Sequence, residues 1–309
     1  SGESMEKFHL EDSIKKRKIT LINFYWDQRR NLFLHSIYFC KTIMFCKPDL
    51  VVLSSYSCSN KRRFSQPAIK TIEKLKPKSN SKFVAVWWDT CGEGFAENNI
   101  VPFKGIIDLH AVNDNPKMDF NTNCLSCHEK TKVICESPSY DPNGLFRPSK
   151  NKDIDVSFMG LIGSYRDYRK QYIDFLKSSN INYSFSSDET RDSQISNQEY
   201  ADILSRSKIG LNFSYSVDRH QLKGRVFETM LSGAMLLESA NDQIKELFNE
   251  NTEFVAFTDK EDLLKKINYY LDHDSERENI AYNGRKKVLD CYNGQQYWDA
   301  IFSKVGLNA

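Results

Sequence analysis

Gln221-Leu-Lys223-Gly-Arg225-Val-Phe-Glu228-Thr-Met-Leu-Ser-Gly233-Ala-Met-Leu-Leu-Glu238 places two cations and a carboxylate within one turn of an expected helix start, then a glycine and an apolar run. Lys223 and Arg225 are spaced to neutralise a diphosphate, and a helix N-terminus adds backbone donors and a favourable dipole. Glu228 is placed to accept hydrogen bonds from two ribose hydroxyls. Gly233 lets the chain leave the helix in a left-handed turn and enter the buried run from Ala234 to Leu237. The layout suits a sugar nucleotide. Without a ligand, the same residues make an ordinary helix–turn–strand whose cations form a solvated face.

Outward from this stretch the chain alternates apolar runs with helical patterns, which argues parallel α/β sheets covered on both faces. Residues 19–25, 49–54, 82–89, 105–113 and 131–135 read as strands of a first unit, with helices through about Cys46 and around Gln66 to Leu75. Residues 137–152 hold three prolines, a glycine and polar residues and break the rhythm. A second unit opens at Ile154, with strands at 154–160, 182–186, 209–213, 234–237 and 254–257 and helices at 165–178, 197–206, 261–271 and 275–289. Residues 5–140 are therefore expected to form a first α/β domain, 141–153 a linker, 154–292 a second α/β domain, and 293–309 a final amphipathic helix. Residues 5–18 are polar and basic and read as an arm or short helix.

A second constellation opens the second domain. Phe158-Met-Gly160-Leu-Ile-Gly163-Ser-Tyr-Arg166-Asp-Tyr-Arg169 is strand, glycine turn and an arginine-bearing helix. Such glycines allow close approach of backbone to phosphate, and an arginine on the first turn binds it bidentately. Asn212 and Ser214 fall at a strand's carboxyl end, where open α/β sheets bind ligands.

The Lys223-x-Arg225-x-Phe227-Glu228 segment resembles the donor-binding motif of group-1-type glycosyltransferases with the GT-B architecture. It looks closest to the branch containing spore-coat maturation glycosyltransferases. The resemblance is strong from about Asp155 to Tyr292 and covers the first domain through its rhythm. It implies two Rossmann-like domains facing a central cleft, with the last helix crossing back to the first domain. It also implies transfer, hexosyl by expectation, from a nucleoside-diphosphate sugar such as a UDP- or GDP-sugar to a hydroxyl acceptor on a glycan, protein or lipid-linked sugar. Donor binding would rest on Gly160, Gly163, Arg166, Asn212, Lys223, Arg225 and Glu228, with Arg169 a further arginine of that helix. Members commonly carry Glu-x7-Glu; the second glutamate matches Glu228, but the first is replaced by His220, so the first glutamate's role at the donor sugar does not carry over directly. No Asp-x-Asp stands at a strand end, and Lys223, Arg225 and Arg166 are the expected substitutes for a metal, so neither metal nor cofactor is expected.

Catalytic candidates are Asp89, placed to take the acceptor proton, and His220. Trp88, Asp27 and His110 are acceptor-side candidates at strand ends, with Asp114 beside His110. Equally, the tryptophans can be core and Asp89 a cap. If the reaction retains anomeric configuration, no dedicated base is needed. The rival reading from another class is a non-catalytic nucleotide- or sugar-binding α/β module.

Composition agrees with a globular chain: 309 residues, 40% hydrophobic, 27% charged, net charge +2. The near balance makes nucleic acid an unexpected partner, although Lys61-Arg62-Arg63 is a short basic loop. No run approaches the roughly 20 apolar residues of a membrane span. Ser1-Gly-Glu-Ser before Met5 reads as a cloning remnant, followed by charged residues rather than a signal peptide, so a cytoplasmic location with reduced thiols is expected for the eight cysteines. Cys124-Leu-Ser-Cys127-His128 matches the haem-attachment pattern but lacks the export signal such chemistry needs. With Cys135 it also offers zinc ligands at an unfamiliar spacing; the main reading is ordinary loop cysteines.

Overall fold

Short β-branched and apolar runs become parallel strands in both halves of the chain, and the helices between them cover the sheets. The structure is a computed structural model that describes residues 7–15, 17–24, 32–54, 69–87, 100–103, 105–112, 133–135, 144–160, 162, 167–185, 195–216, 219–220 and 222–308. Two compact units emerge, one of residues 17–137 with 297–309, the other of residues 1–16 with 138–296.

In the first unit β1 (Leu50–Ser54), β2 (Lys82–Trp87), β3 (Leu109–Val112) and β4 (Val133–Cys135) form a parallel sheet in chain order. Helices α1 (Leu32–Cys46) and α2 (Ile69–Leu75) supply Phe39, Ile43 and Ile72 to its core, against Leu53, Phe83 and Trp87. The expected first strand at 19–25 is not formed in residues 19–24: Ile19, Leu21 and Ile22 are 40%, 36% and 49% exposed, and only Phe24 packs on the core. An apolar run becomes a strand only when a sheet edge takes up its backbone groups, and among the described residues β1 pairs with β2 alone.

In the second unit, β5 (Ile154–Phe158), α3 (Asp167–Lys177), β6 (Tyr183–Phe185), α4 (Asn197–Arg206) and β7 (Ser207–Asn212) lead into a two-stranded hairpin, β8 (Tyr215–Ser216) and β9 (Arg219–His220). Then follow α5 (Gly224–Leu231), β10 (Met235–Ser239), α6 (Asp242–Leu247), β11 (Val255–Phe257), α7 (Lys260–Asp272), α8 (Asp274–Cys291) and α9 (Gly294–Val305). From Tyr297 onward α9 counts with the first unit, where Arg17 bonds Asp299 at 2.5 Å and lies over the Phe302 ring. Among the described residues, no helix is long and apolar enough to cross a membrane.

Two boundaries differ from expectation. The first sixteen residues belong to the second unit, because His9, Leu10, Ser13 and Ile14 are buried there. The described part of the expected linker is also built into that unit. Phe146 is 1% exposed and meets Tyr200 edge-on, and Pro148 lies against Gly233. Composition marked residues 144–153 as linker, yet the Phe146 ring supplies apolar surface worth burying.

The five strands of the second sheet are all parallel, in the order β11, β10, β7, β5, β6. One face buries Val156, Phe158, Leu211, Phe213 and Leu237 under α3, α7 and α8. The other face receives α5. Gly210 of β7 has no room for a side chain there: a Cβ would stand 2.2 Å from Cγ2 of Thr229. Gly233, at φ 69°, forms the expected left-handed exit from α5. Gly210→Ala should therefore lower unfolding free energy by about 2–3 kcal/mol, the usual cost of overpacking. Adding Thr229→Ala, which removes the opposing methyl, should recover most of that loss in urea titrations.

Candidate functional site

The chain runs from β5 outward to β6, then crosses back to place β7 on the other side of β5. Such a reversal opens a crevice at the carboxyl ends of the two central strands. Gly160 follows β5 there, Asn212 and Ser214 end β7, and the first turn of α5 faces both.

Arg225 organises this crevice. Its Nη1 donates to Asn212 Oδ1 at 2.8 Å, and its guanidinium carbon sits 5.2 Å from the Phe158 ring centre. A Cβ on Gly160 would stand 2.6 Å from Arg225 Nη2, so the guanidinium occupies the space that the glycine leaves. Behind Asn212 lies Glu238, wholly buried in β10 and paired in register with Asn212 across the parallel ladder. The Glu238 carboxylate accepts from Asn212 Nδ2 at 2.5 Å, the Ser214 backbone N–H at 2.8 Å, the Ser239 hydroxyl at 3.0 Å and the Ser214 hydroxyl at 3.2 Å. Burial pushes its carboxyl above the ordinary value, and those same hydrogen bonds pull the other way.

Glu228, one turn after Arg225, is only 6% exposed. Its Oε2 accepts the Tyr200 hydroxyl from the first turn of α4, and its Oε1 lies 3.1 Å from Nε2 of His9. Burial and the adjacent carboxylate hold the Tyr200 hydroxyl far above its ordinary value, with Arg225 opposing. Ser196 fixes this end of α4 by capping the Glu199 N–H at 3.1 Å.

A family profile described as "Glycosyl transferase-like" matches residues 144–303. The chain belongs to this glycosyl transferase-like family. A comparison with curated proteins returns no match. Among solved structures it is similar to Anabaena Alr3699/HepE in complex with UDP-glucose, at 12% identity and TM-score 0.63, covering 95% of this chain and 88% of that one. An alpha-glucosyltransferase in complex with UDP-glucose and DNA containing an abasic site has the same identity and TM-score, with 88% and 83% covered. A glycosyltransferase from Rickettsia africae ESF-5 gives 12% identity and TM-score 0.57, with 97% and 88% covered. At these identities the likeness shows the fold, which is GT-B.

Within this glycosyl transferase-like chain, Gly160, Asn212, Arg225 and Glu228 come together at the crevice. Lys223 is the half-buried N-cap residue of α5. Gly163 and Arg166 lie outside the described residues, as do Asp27, Trp88, Asp89, Asp114, Cys124, Cys127 and His128. His220 stands in β9 opposite Tyr215. Asn212 is fully buried and holds Arg225 rather than facing the crevice itself. Arg169 is spent elsewhere: Nη2 donates to the Phe213 carbonyl at 2.8 Å and Nε to the Tyr168 hydroxyl at 2.9 Å. His9, Tyr200 and Glu238 were not anticipated. Only Glu238 carried a signal, as a carboxylate ending an otherwise apolar run.

His110, expected to face an acceptor, is instead a core residue of β3 with no exposed surface. Trp87 Nε1 donates to its Nδ1 at 3.0 Å, and burial lowers its pKa to about 4. Its proton therefore sits on Nε2 when folded, and the unfolded chain binds a second proton more readily, near 6.5. The stability this contributes is complete above pH 6.5 and is lost as pH falls towards 4. Between pH 7 and pH 5, wild type should lose about 2 kcal/mol more stability than His110→Asn, whose amide oxygen can accept from Trp87 without titrating. Parallel urea titrations followed by tryptophan fluorescence check this.

Proposed function

We propose that this protein transfers a hexosyl group from a nucleoside-diphosphate sugar to a hydroxyl acceptor without a metal. The observation that carries the reading is Arg225, held against Gly160 at the reversal point of the second sheet. As the glycosidic bond breaks, negative charge grows on the leaving diphosphate. A fixed guanidinium, Lys223 and the first backbone N–H groups of α5 are suited to stabilise it. Uridine is the base to test first, since two proteins of this fold are in complex with UDP-glucose. Gly163, Arg166, His220 and Asp89 remain the further donor, catalytic and acceptor candidates of this proposal. The reading also includes a cytoplasmic site of action in glycan biosynthesis and kinship with the spore-coat maturation branch.

Glu228 is the proposed ribose partner, and its present partners set a condition. Oε1 can accept a second hydrogen bond, but Glu228 is only 6% exposed and His9 lies on it, so ribose hydroxyls gain access as His9 moves aside, while the Tyr200 hydroxyl can keep Oε2. Donor binding therefore includes displacement of the His9 imidazole.

Two measurements test the reading. Thermal shift with UDP, GDP, ADP, CMP and their common sugars, in EDTA, should show selective stabilisation by one diphosphate nucleotide. Arg225→Ala should weaken that nucleotide's binding by about ten- to a hundredfold, the range for one charge-assisted hydrogen bond. Wild-type affinity in Arg225→Ala, or transfer that stops in EDTA and returns with Mg²⁺, would remove the corresponding part of the proposal. His9→Ala should tighten the same nucleotide several-fold by freeing Oε1, a gain of roughly 1 kcal/mol. An unchanged affinity would separate Glu228 from ribose recognition.

A further inference from the structure

Arginine only donates hydrogen bonds, so the Asn212 atom facing Arg225 Nη1 at 2.8 Å must be the amide oxygen. The Asn212 nitrogen then points the other way and needs an acceptor. It finds Glu238 Oε2 at 2.5 Å, on the neighbouring strand and in direct register, and at 3.1 Å the Ser214 hydroxyl, whose own proton goes to the same carboxylate oxygen. The second Glu238 oxygen is committed to the Ser214 backbone N–H at 2.8 Å, a donor that cannot change its character. Direction therefore runs one way along the row, from the Ser214 N–H to the carboxylate, from the carboxylate to the amide, and from the amide to the guanidinium.

We propose that Glu238 is a positioning residue for donor binding: its carboxylate fixes which way the Asn212 amide faces, and so holds the Arg225 guanidinium against Gly160 for the donor's diphosphate. This rests on the assignment of Arg225 to the diphosphate made above. Glu238 touches no substrate. It acts through a buried asparagine on a strand end, and its own strand belongs to the sheet rather than to the crevice loops.

A single atom decides the matter. In Glu238→Gln the amide oxygen stays on the Ser214 N–H, and an NH2 group then faces the Asn212 NH2. Flipping Asn212 relieves that clash but turns its NH2 towards Arg225. One donor–donor contact survives in either arrangement, and the guanidinium loses its fixed place. In Asn212→Asp alone, two carboxylates meet in a buried site and repel. The combined Asn212→Asp, Glu238→Gln variant removes both faults, because an aspartate at 212 accepts from the glutamine NH2 and from Arg225 together.

Pyrophosphate, the part of any nucleoside diphosphate that Arg225 would hold, serves as the probe, titrated calorimetrically against the full-length chain. Uridine, which lacks phosphate, is titrated alongside. Arg225→Ala defines the loss when the guanidinium is gone. The expected result is at least a tenfold loss of pyrophosphate affinity in each single variant, unchanged uridine affinity, and recovery to within about threefold of wild type in the double variant, as for any pair that couples directly. If Glu238→Gln or Asn212→Asp fails to fold, the double variant still decides, since it should fold and bind. Pyrophosphate binding that survives Glu238→Gln but falls in Arg225→Ala overturns the proposal and leaves the diphosphate assignment standing. A double variant that folds but stays as weak as Arg225→Ala overturns it too. Wild-type affinity in Arg225→Ala removes the diphosphate assignment itself, and this inference with it.

Discussion

Helix α5 lies against β7 at a distance that only glycine permits, and the crevice residues take their places from that contact. With Thr229 resting on Gly210, the preceding turn of the helix falls one pleat further along the strand. Four helical residues rise about 6 Å, and two strand residues rise about 6.6 Å. Arg225 therefore comes to rest over Asn212, as Thr229 rests over Gly210. A side chain at 210 would lift the helix and separate Arg225 from Asn212. A second glycine, Gly160, leaves space on the neighbouring strand's loop for the guanidinium itself. Two absent side chains thus fix one long one.

The carboxylate at this edge is set back from the guanidinium: a neutral amide stands between Arg225 and Glu238, and geometry passes along the row through it. Glu238 can be buried because four donors converge on its two oxygens. Glu228 has a different standing. Its partners come from α4 and from the N-terminal helical segment, Lys7–Asp12 with Ser13–Lys15, rather than from the sheet.

Elements legible in the sequence were those with a local cause. Helix α4 lay where its pattern predicts because Ser196 caps it, and the turn after α5 formed because Gly233 alone suits φ 69°. The gathering of Gly160, Asn212 and Arg225 was legible as well, since strand ends and a helix start meet at one edge of a parallel sheet. Glu238 was not legible in that way. Period two puts it on the face of Leu236, but only the register with Asn212 shows what it meets there. His110 looked like a strand-end residue, and its fate depended on Trp87 of the neighbouring strand. The run at 19–24 had strand composition, yet among the described residues it forms no ladder on the free side of β1. The N-terminal segment was legible as an arm or short helix, and it is helical, but its docking on Glu228 was not, because that contact spans 219 positions of sequence.

That segment carries two kinds of attachment of unequal strength. Leu10 and Ile14, each 6% exposed, gain roughly 1.5–3 kcal/mol apiece from burial. The contact of His9 on Glu228 is a single hydrogen bond to a carboxylate, worth about 1.5–3 kcal/mol, or roughly half of what the two aliphatic side chains gain together. A ligand hydroxyl that competes for Oε1 therefore opposes the smaller term and can leave the larger one intact. An imidazole turns away by rotating about its own side-chain bonds, whereas stripping the segment would expose both aliphatic side chains. The carboxylate at 228 is thus exchangeable at one oxygen and fixed at the other by Tyr200, while that at 238 is fixed at both. The two carboxylates divide the work accordingly: Glu238 sets the position of a charge, and Glu228 is left to change partners.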